Sequence, residues 1–164
     1  MLMNTSVALR RISLVSQRPF DEVLRSLSAT IGRPDMPRFQ REMAAAIDLG
    51  DLQRIVGEAV GGSGLMEFGR YDAGSVLRKS DGHPSPRMVR LLVGNPLIMK
   101  EMARTVPDAA SYAPVTILVD ERADGVHLSY DTLASLLSPY CGEQAIAVAR
   151  ELDAKIESLL KSAT

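Results

Sequence analysis

Three side chains in this sequence could bind a metal or carry out catalysis by virtue of their own chemistry: His83, His127 and Cys141. A structural zinc site needs four ligands, and its cysteines and histidines usually follow one another at short spacings such as CxxC or HxxxH. The three residues here are far apart in the chain and no such spacing occurs. We therefore expect no metal and no cofactor, and we interpret His83 as an exposed residue of a Gly-His-Pro turn.

Cys141 offers a second kind of chemistry, because it stands just before the predicted start of the last helix at Gly142. A helix N-terminus can lower the pKa of a thiol and so make it nucleophilic. A lone cysteine at a helix boundary is more commonly a small packed residue, and the sequence names no base to act on it. An enzyme of unknown class that uses Cys141 or His127 therefore stays open as the alternative function.

A glycine-rich stretch, Gly61-Gly62-Ser63-Gly64, suggests phosphate binding at first sight. A phosphate-binding loop of the P-loop type ends in lysine followed by serine or threonine, which contact the phosphates and magnesium. Those residues are missing here. We interpret the stretch as a flexible connector, because glycine has more backbone freedom than any other residue.

Composition narrows the class of protein. The chain has 164 residues, of which 46% are hydrophobic and 24% charged, a balance typical of a globular protein with its own core. We expect one domain over residues 1–164. The nineteen basic and twenty acidic residues leave no positive excess for nucleic-acid binding. With no tryptophan and 4% aromatic residues, the chain also lacks the stacking platforms of single-strand binders.

No apolar stretch approaches the roughly 20 residues of a membrane span, and the apolar run at residues 12–15 is too short for a signal peptide. We therefore expect no membrane partner. A single cysteine cannot form an internal disulfide and fits a reducing compartment. The expected location is cytoplasmic.

The elements that must position any site are clearest in residues 87–131, which predict a strand, a short helix and a β-hairpin. Apolar side chains alternate with polar or mixed ones in residues 88–93, as in a strand with one buried face. A helix should follow, because Asn95 suits its N-cap and Pro96 its first helical position. Two further strands are predicted at residues 115–119 and 126–130.

The rest of the chain predicts mainly helices. Residues 20–31 carry the clearest amphipathic pattern, with apolar side chains at helical spacing. Residues 37–60 predict two helices, the first ending near Gly50 and the second capped by Asp51. The remaining predictions are a first strand at 6–16, a strand at 65–71, a turn at 79–86, a short helix at 132–137 and a final helix from residue 142.

Several short motifs follow one another in order: Gly94-Asn95-Pro96, Pro107, Pro114 before Val115, Asp124-Gly125, and Tyr130-Asp131 followed by Leu133-Ala134. This ordered set resembles the family catalogued as domain of unknown function 302, and residues 19–32 are similar to that family's opening helix. At Asp72-Ala73-Gly74 the match is weaker, because Ala73 replaces a histidine that is frequent in the family. Residues 37–60 depart from the family pattern, and we interpret them as a helical insertion.

The resemblance implies a fold but no reaction, because the family has no established activity. The implied fold is the strand–helix–four-strand–helix arrangement of one half of the TATA-box-binding protein. We accordingly predict an α+β fold, with a single antiparallel sheet of about five strands, helices mainly on one face, and the helical insertion at about residues 37–60.

Strand periodicity then predicts the functional surface. One parity of the central strands is apolar and should face the helices, since a slip of one residue would turn the whole apolar set to the other side. The opposite parity mixes leucines with polar groups, and an exposed half-apolar face is unfavourable in a monomer. A second subunit, a ligand or the helices of residues 37–60 should therefore cover it. The residues concerned are Arg90, Leu92, Thr116, Leu118, His127 and Ser129.

The function predicted from these observations is a non-enzymatic binding or assembly domain. We expect a homodimer, with a small apolar ligand as a further partner held against the sheet, and no nucleic acid or membrane. The methionines Met88, Met99 and Met102 lie around the central strand and helix, and filling an irregular core is the more common use of such residues. The same adaptability would suit an apolar binding site.

Overall fold

A five-stranded antiparallel sheet forms the centre of the computed structural model, which describes residues 1–82 and 85–164. The strands are β1 (Arg11–Ser16), β2 (Met66–Asp72), β3 (Met88–Gly94), β4 (Val115–Arg122) and β5 (Gly125–Asp131). Their order across the sheet is β1-β5-β4-β3-β2, so the first two strands of the chain form the two edges. His83, predicted to lie in an exposed turn, lies outside the described residues.

Helices connect and cover these strands. In the described part of the chain they are α1 (Phe20–Ser28), α2 (Met36–Ala45), α3 (Leu49–Ala59), α4 (Ala73–Asp81), α5 (Pro96–Ala103), α6 (Leu133–Leu137) and α7 (Glu143–Ala163), with short 3-10 helices at Pro107–Ser111 and Ser138–Tyr140. The predicted α+β class with one antiparallel sheet is confirmed. No helix of the described chain combines the length and apolar character needed to cross a bilayer.

The main core lies between one face of the sheet and a helix layer in which α1, α5 and α6 pack on the long helix α7. Leu91, Ile117 and Leu128 contribute to it from β3, β4 and β5, and all three are fully buried. The predicted parity is therefore confirmed. Its members are Val89, Leu91, Val93, Val115, Ile117, Val119, Val126, Leu128 and Tyr130.

Helices α2 and α3 form a second, smaller core of their own. Phe39 from α2 and Ile55 and Val56 from α3 pack with Met66 at the start of β2, and Phe68 lies beside them. These two helices therefore pack against the β2 edge of the sheet. Asp48, and not the predicted Asp51, caps α3, because its side chain accepts a hydrogen bond from the Asp51 backbone N–H at 2.9 Å.

The first helix of this pair also ends earlier than predicted. It stops at Ala45, and Gly50 lies inside α3 instead of ending α2. Because Asp48 has an extended backbone and an acceptor side chain, it can start a helix three residues before the position assigned from Asp51.

Two other boundaries differ from the prediction. The first strand begins at Arg11 and not at residue 6. Its partner β5 ends at Asp131, which pairs with Arg11, so the residues before Arg11 have no strand to pair with. Residues 79–86 were predicted as a turn, but α4 continues to Asp81 and ends at Gly82, whose φ of 65° is left-handed. Asp72 begins that helix by accepting a hydrogen bond from the Ser75 N–H at 2.9 Å.

Candidate functional site

The sheet face opposite the helix layer, which we call the open face, carries the mixed set of side chains predicted as the functional surface. Its register follows from the strand pairs: Arg90 lies opposite Leu118, and Leu118 lies opposite Ser129. In the next row Leu92 lies opposite Thr116. Directly paired residues of antiparallel strands share a face, so these five side chains form one continuous patch.

A groove of about 540 Å³ lies over this patch. Its floor consists of Leu92, Thr116, Leu118 and Ser129, with Arg90 at one side. The volume falls within the roughly 300–1,000 Å³ typical of small-molecule sites. The structure thus brings five of the six predicted residues together, and His127 is the exception.

The wall of the groove is built by the segment that leads into β4. Residues 110–114 line it, together with Leu136 from α6. The Tyr112 and Tyr140 hydroxyls lie 3.0 Å apart and form a hydrogen bond, which ties this segment to the chain after α6. Gly94 at the end of β3 allows Pro114 to lie close to it, since a Cβ at this position would be 3.3 Å from Pro114. The wall therefore depends on contacts between segments distant in sequence.

Two cations reach the groove, and they differ in how they are paired. Arg11 on β1 binds Asp131 through two hydrogen bonds of 2.6 and 2.8 Å. Arg90 instead donates a long hydrogen bond of 3.3 Å to the Thr116 hydroxyl. Among the described residues, Arg90 forms no ion pair with a carboxylate. The two arginines and the one aspartate leave the groove lining with a net positive charge.

His127 belongs to a separate polar cluster near the turn between β4 and β5. Its Nε2 lies 2.8 Å from the Asp124 carboxylate, and this hydrogen bond lowers the pKa of Asp124. Across the strand pair His127 faces Asp120, which is buried and bound by Arg122 at 2.5 Å. The carboxylates of this cluster thus already have partners, as in a structural turn.

Cys141 lies far from that cluster. It is exposed and has a left-handed φ of 53°, immediately before Gly142 and α7. Its neighbour Tyr140 bonds to Tyr112 near the start of β4, whereas His127 lies near the end of β4, so the two residues occupy opposite ends of the β4–β5 hairpin. The structure does not bring Cys141 and His127 into one catalytic pair.

Metal-ligating side chains do not cluster in the part of the chain that the structure describes: no three His, Cys, Asp or Glu residues gather closely enough to hold an ion.

The glycine-rich connector of residues 61–64 is a compact turn and not the flexible segment that we predicted. The N–H of Gly61 donates to Leu65 at 3.0 Å, that of Ser63 to Thr30 at 3.0 Å, and that of Gly64 to Gly61 at 2.9 Å. A phosphate loop needs such N–H groups to point at the ligand. Here carbonyl groups of the protein already accept them.

Several residues of the groove could not be predicted from the sequence. Arg11 and Asp131 stand at the ends of their strands, and their pairing follows only from the β1–β5 register. Tyr112 and Leu136 reach the groove from segments with no periodic pattern that would mark them as site residues. The alternation of side chains along the strands predicts the residues of the groove floor, but it cannot predict the residues of the wall, which lie outside the strands.

Comparisons with known proteins agree with this architecture. A solved structure titled as that of an uncharacterised conserved DUF302 protein from Bacillus stearothermophilus superposes with a TM-score of 0.65 at 11% identity, covering 94% of this chain and 98% of that chain. Such low identity shows the fold alone. The curated proteins contain no match to this sequence. The model of the family described as Domain of unknown function DUF302 matches residues 39–163. This chain therefore belongs to the DUF302 family.

Proposed function

We propose that this protein is a non-enzymatic binding domain that holds a small, largely apolar molecule in the groove on the open face of its sheet. The observation that carries the proposal is the groove itself, about 540 Å³ in volume and lined by both leucines and polar groups. Small-molecule sites combine a mainly apolar surface with a few polar groups that orient the ligand. The leucine pair Leu92 and Leu118 would supply the first, and Arg90, Thr116 and Ser129 the second.

The position of the site favours binding over catalysis. The groove lies on strands, which are rigid elements that hold side chains in fixed directions. Among the described residues, its lining contains no cysteine, histidine or lysine. The two reactive groups considered from the sequence, Cys141 and His127, both lie outside it.

A second copy of the chain is the other candidate occupant, and it would make the protein the expected homodimer. Tyr71 and Val15 favour it, because both are about half exposed and lie on the open face beyond the groove, near the two edges of the sheet. A small ligand in the groove would leave them in water, whereas a partner sheet would cover them. Helices α2 and α3 do not line the groove; their core contacts the sheet at Met66 and Phe68.

The test uses Leu118→Asp, which places a charge in the floor of the groove, and Leu49→Asp as a matched control on the exposed start of α3. Binding is measured with the neutral fluorophore N-phenylnaphthylamine, and mass by light scattering. We expect the wild type to enhance the fluorescence, with this enhancement lost in Leu118→Asp and kept in Leu49→Asp, and the same mass in all three proteins.

Two other results would contradict the ligand proposal. A wild-type dimer that becomes a folded monomer only in Leu118→Asp would assign the open face to a second copy. Equal mass, stability and fluorescence in all three proteins would mean that the face simply stays exposed.

A further inference from the structure

The arginines of the sheet form a natural comparison that points to the chemical class of the ligand. Strands β1, β2, β3 and β4 each carry one arginine, namely Arg11, Arg70, Arg90 and Arg122. Three of them bind a carboxylate at short distance: Arg11 binds Asp131 at 2.6 Å, Arg70 binds Glu67 at 2.7 Å, and Arg122 binds Asp120 at 2.5 Å.

Arg90 breaks this pattern. Its guanidinium donates to the Thr116 hydroxyl at 3.3 Å, a weak contact between a cation and a neutral acceptor. Its direct neighbours across the strands are Tyr71 and Leu118, neither of which has a carboxylate side chain. Within residues 1–82 and 85–164, this is the one arginine on a strand of the sheet without a carboxylate partner.

The surroundings of Arg90 are apolar on the side that faces the groove. Leu118 lies opposite it, Leu92 is next on the same face of β3, and Ala113, Pro114 and Leu136 continue the apolar surface along the wall. A ligand that fills this groove must therefore present an apolar body to most of the lining. Among the residues that the structure describes, Arg90 alone in the lining carries a charge that a protein carboxylate does not already neutralise.

We infer that the ligand of the groove is an amphipathic monoanion, a monocarboxylate with an aliphatic or aromatic body, and that Arg90 binds its carboxylate. The inference rests on the proposed function, since it names the class of molecule for the same groove. Arginine suits this role because its planar guanidinium can donate two parallel hydrogen bonds to one carboxylate. The single net positive charge of the lining matches one negative charge on the ligand. A dicarboxylate would bring a second charge that Asp131 repels.

The test compares two probes that share a ten-carbon chain and differ in their head group, the anion decanoate and the neutral alcohol decanol, below their aggregation limits. Each is used to displace N-phenylnaphthylamine from the wild-type protein. A charge-assisted hydrogen bond in a partly exposed groove is worth roughly one power of ten in affinity, so decanoate should displace the fluorophore at about tenfold lower concentration than decanol.

The variants assign this preference to one residue. In Arg90→Gln the decanoate and decanol curves should coincide, while Arg90→Lys should keep part of the preference because it keeps the charge. Arg41→Gln removes a charge from the exposed side of α2, outside the groove, and should leave the preference unchanged. Equal displacement by the two probes in the wild type, or a preference that survives in Arg90→Gln, would overturn the inference while leaving apolar binding in the groove intact.

Thermal unfolding without the fluorophore distinguishes a failure of the proposed groove binding from a failure of the monoanion inference. Ligands that bind the folded state raise its melting temperature, so decanoate should raise the melting temperature of the wild type and of Arg41→Gln more than that of Arg90→Gln. If the fluorophore does not bind and decanoate stabilises none of the proteins, the proposed function and this inference both fail. Equal stabilisation of the wild type by decanol and decanoate would support binding of apolar molecules in the groove and would contradict the preference for a monoanion.

Discussion

The two faces of the sheet are made from alternate residues of the same strands, yet they use polar groups in different ways. On the helix-covered face Leu91, Ile117 and Leu128 are fully buried, and the buried Tyr130 hydroxyl donates to the Asp153 carboxylate at 2.5 Å. On the open face the leucines alternate with Arg90, Thr116 and Ser129, and all of these side chains keep some contact with solvent.

The polar contact on the covered face has several partners at once. Asp153 on α7 also accepts hydrogen bonds from the backbone N–H groups of Leu133 and Ala134, at 2.7 and 3.0 Å. It thereby caps α6, whose own N-cap residue Thr132 makes no side-chain cap. Burial, and then the hydrogen bond to Asp153, raises the pKa of Tyr130 far above its usual value. This network fixes two helices and one strand relative to one another.

One sheet thus carries a buried apolar core on one face and a partly exposed, mixed surface on the other. A period of two assigns alternate residues to opposite faces, so the open face can change its chemistry without disturbing the core. The covered face needs complementary packing and fully satisfied polar groups. The open face is partly exposed, and within the described part of the chain its Arg90 has no carboxylate partner.

The largest expected effect comes from truncating equivalent leucines on the two faces of the β4–β5 hairpin. Leu128→Ala removes a fully buried side chain and should lower the free energy of unfolding by about 2–5 kcal/mol. Leu118→Ala, on the open face, should cost about 1 kcal/mol or less. Urea unfolding of both variants measures the difference. Similar losses would mean that the open face is part of a packed core and would break the comparison.

The next effect tests the polar network of the covered face. Asp153→Ala leaves two backbone N–H groups of α6 and the Tyr130 hydroxyl without their acceptor, which should cost about 1–3 kcal/mol. Asp153→Asn is the matched control, because its amide keeps one oxygen as acceptor and should lose less. The urea unfolding midpoints of the two variants measure this difference. If Asp153→Asn lost as much stability as Asp153→Ala, the charge of the carboxylate, and not its role as acceptor, would stabilise the network.

Much of this comparison was predictable from the sequence, for a physical reason. The period-two pattern in β3, β4 and β5 assigned Leu91 to the core and Leu92 to the opposite face, because burial selects apolar residues directly along the chain. The helical period of residues 20–31 and the Asn-Pro start of α5 are equally local signals. Local signals of this kind survive without any knowledge of the tertiary structure.

What the sequence did not reveal depends on contacts between distant segments. The length of β1 is set by where β5 ends, and residues before Arg11 have strand-like character but no partner strand. Helix α4 was not among the predicted elements, and two of its apolar residues, Val76 and Leu77, are exposed to solvent. The groove exists because the segment before β4 packs beside the open face, which no periodicity encodes.

A smaller effect is expected at the end of β3, where the helix layer begins. The Asn95 side chain accepts from the Leu97 N–H at 2.8 Å, as predicted for an N-cap, and its amide also donates to the Gly64 carbonyl at 2.9 Å. Asn95→Ala should lower the free energy of unfolding by about 0.5–2 kcal/mol. Asn95→Asp keeps the cap but loses the donor, so it should retain part of that stability. An unchanged urea midpoint in Asn95→Ala would contradict the structural role of this residue.

The smallest expected effect lies at the groove wall and appears only at high pH. The hydrogen bond to Tyr112 is the main reason why the pKa of Tyr140 rises to about 12 from its usual value of 10.0. A pKa raised by folding means that the protonated form is favoured in the folded state. The stabilising contribution of this contact is therefore complete below the unfolded pKa and is lost as the pH rises through the folded one.

The resulting pH window is about 10 to 12. The loss should affect the wall of the groove, since Tyr112 lines the groove and its hydroxyl is bonded to that of Tyr140. Tyr140→Phe removes the contact at every pH. Its stability relative to the wild type should therefore be lower at neutral pH and converge with it across this window. Unfolding midpoints of the two proteins from neutral to alkaline pH make the measurement. Coinciding curves would show that the two hydroxyls contribute nothing to stability and that the position of the wall depends on packing alone. A constant difference at every pH would show that the contribution of this contact does not depend on titration.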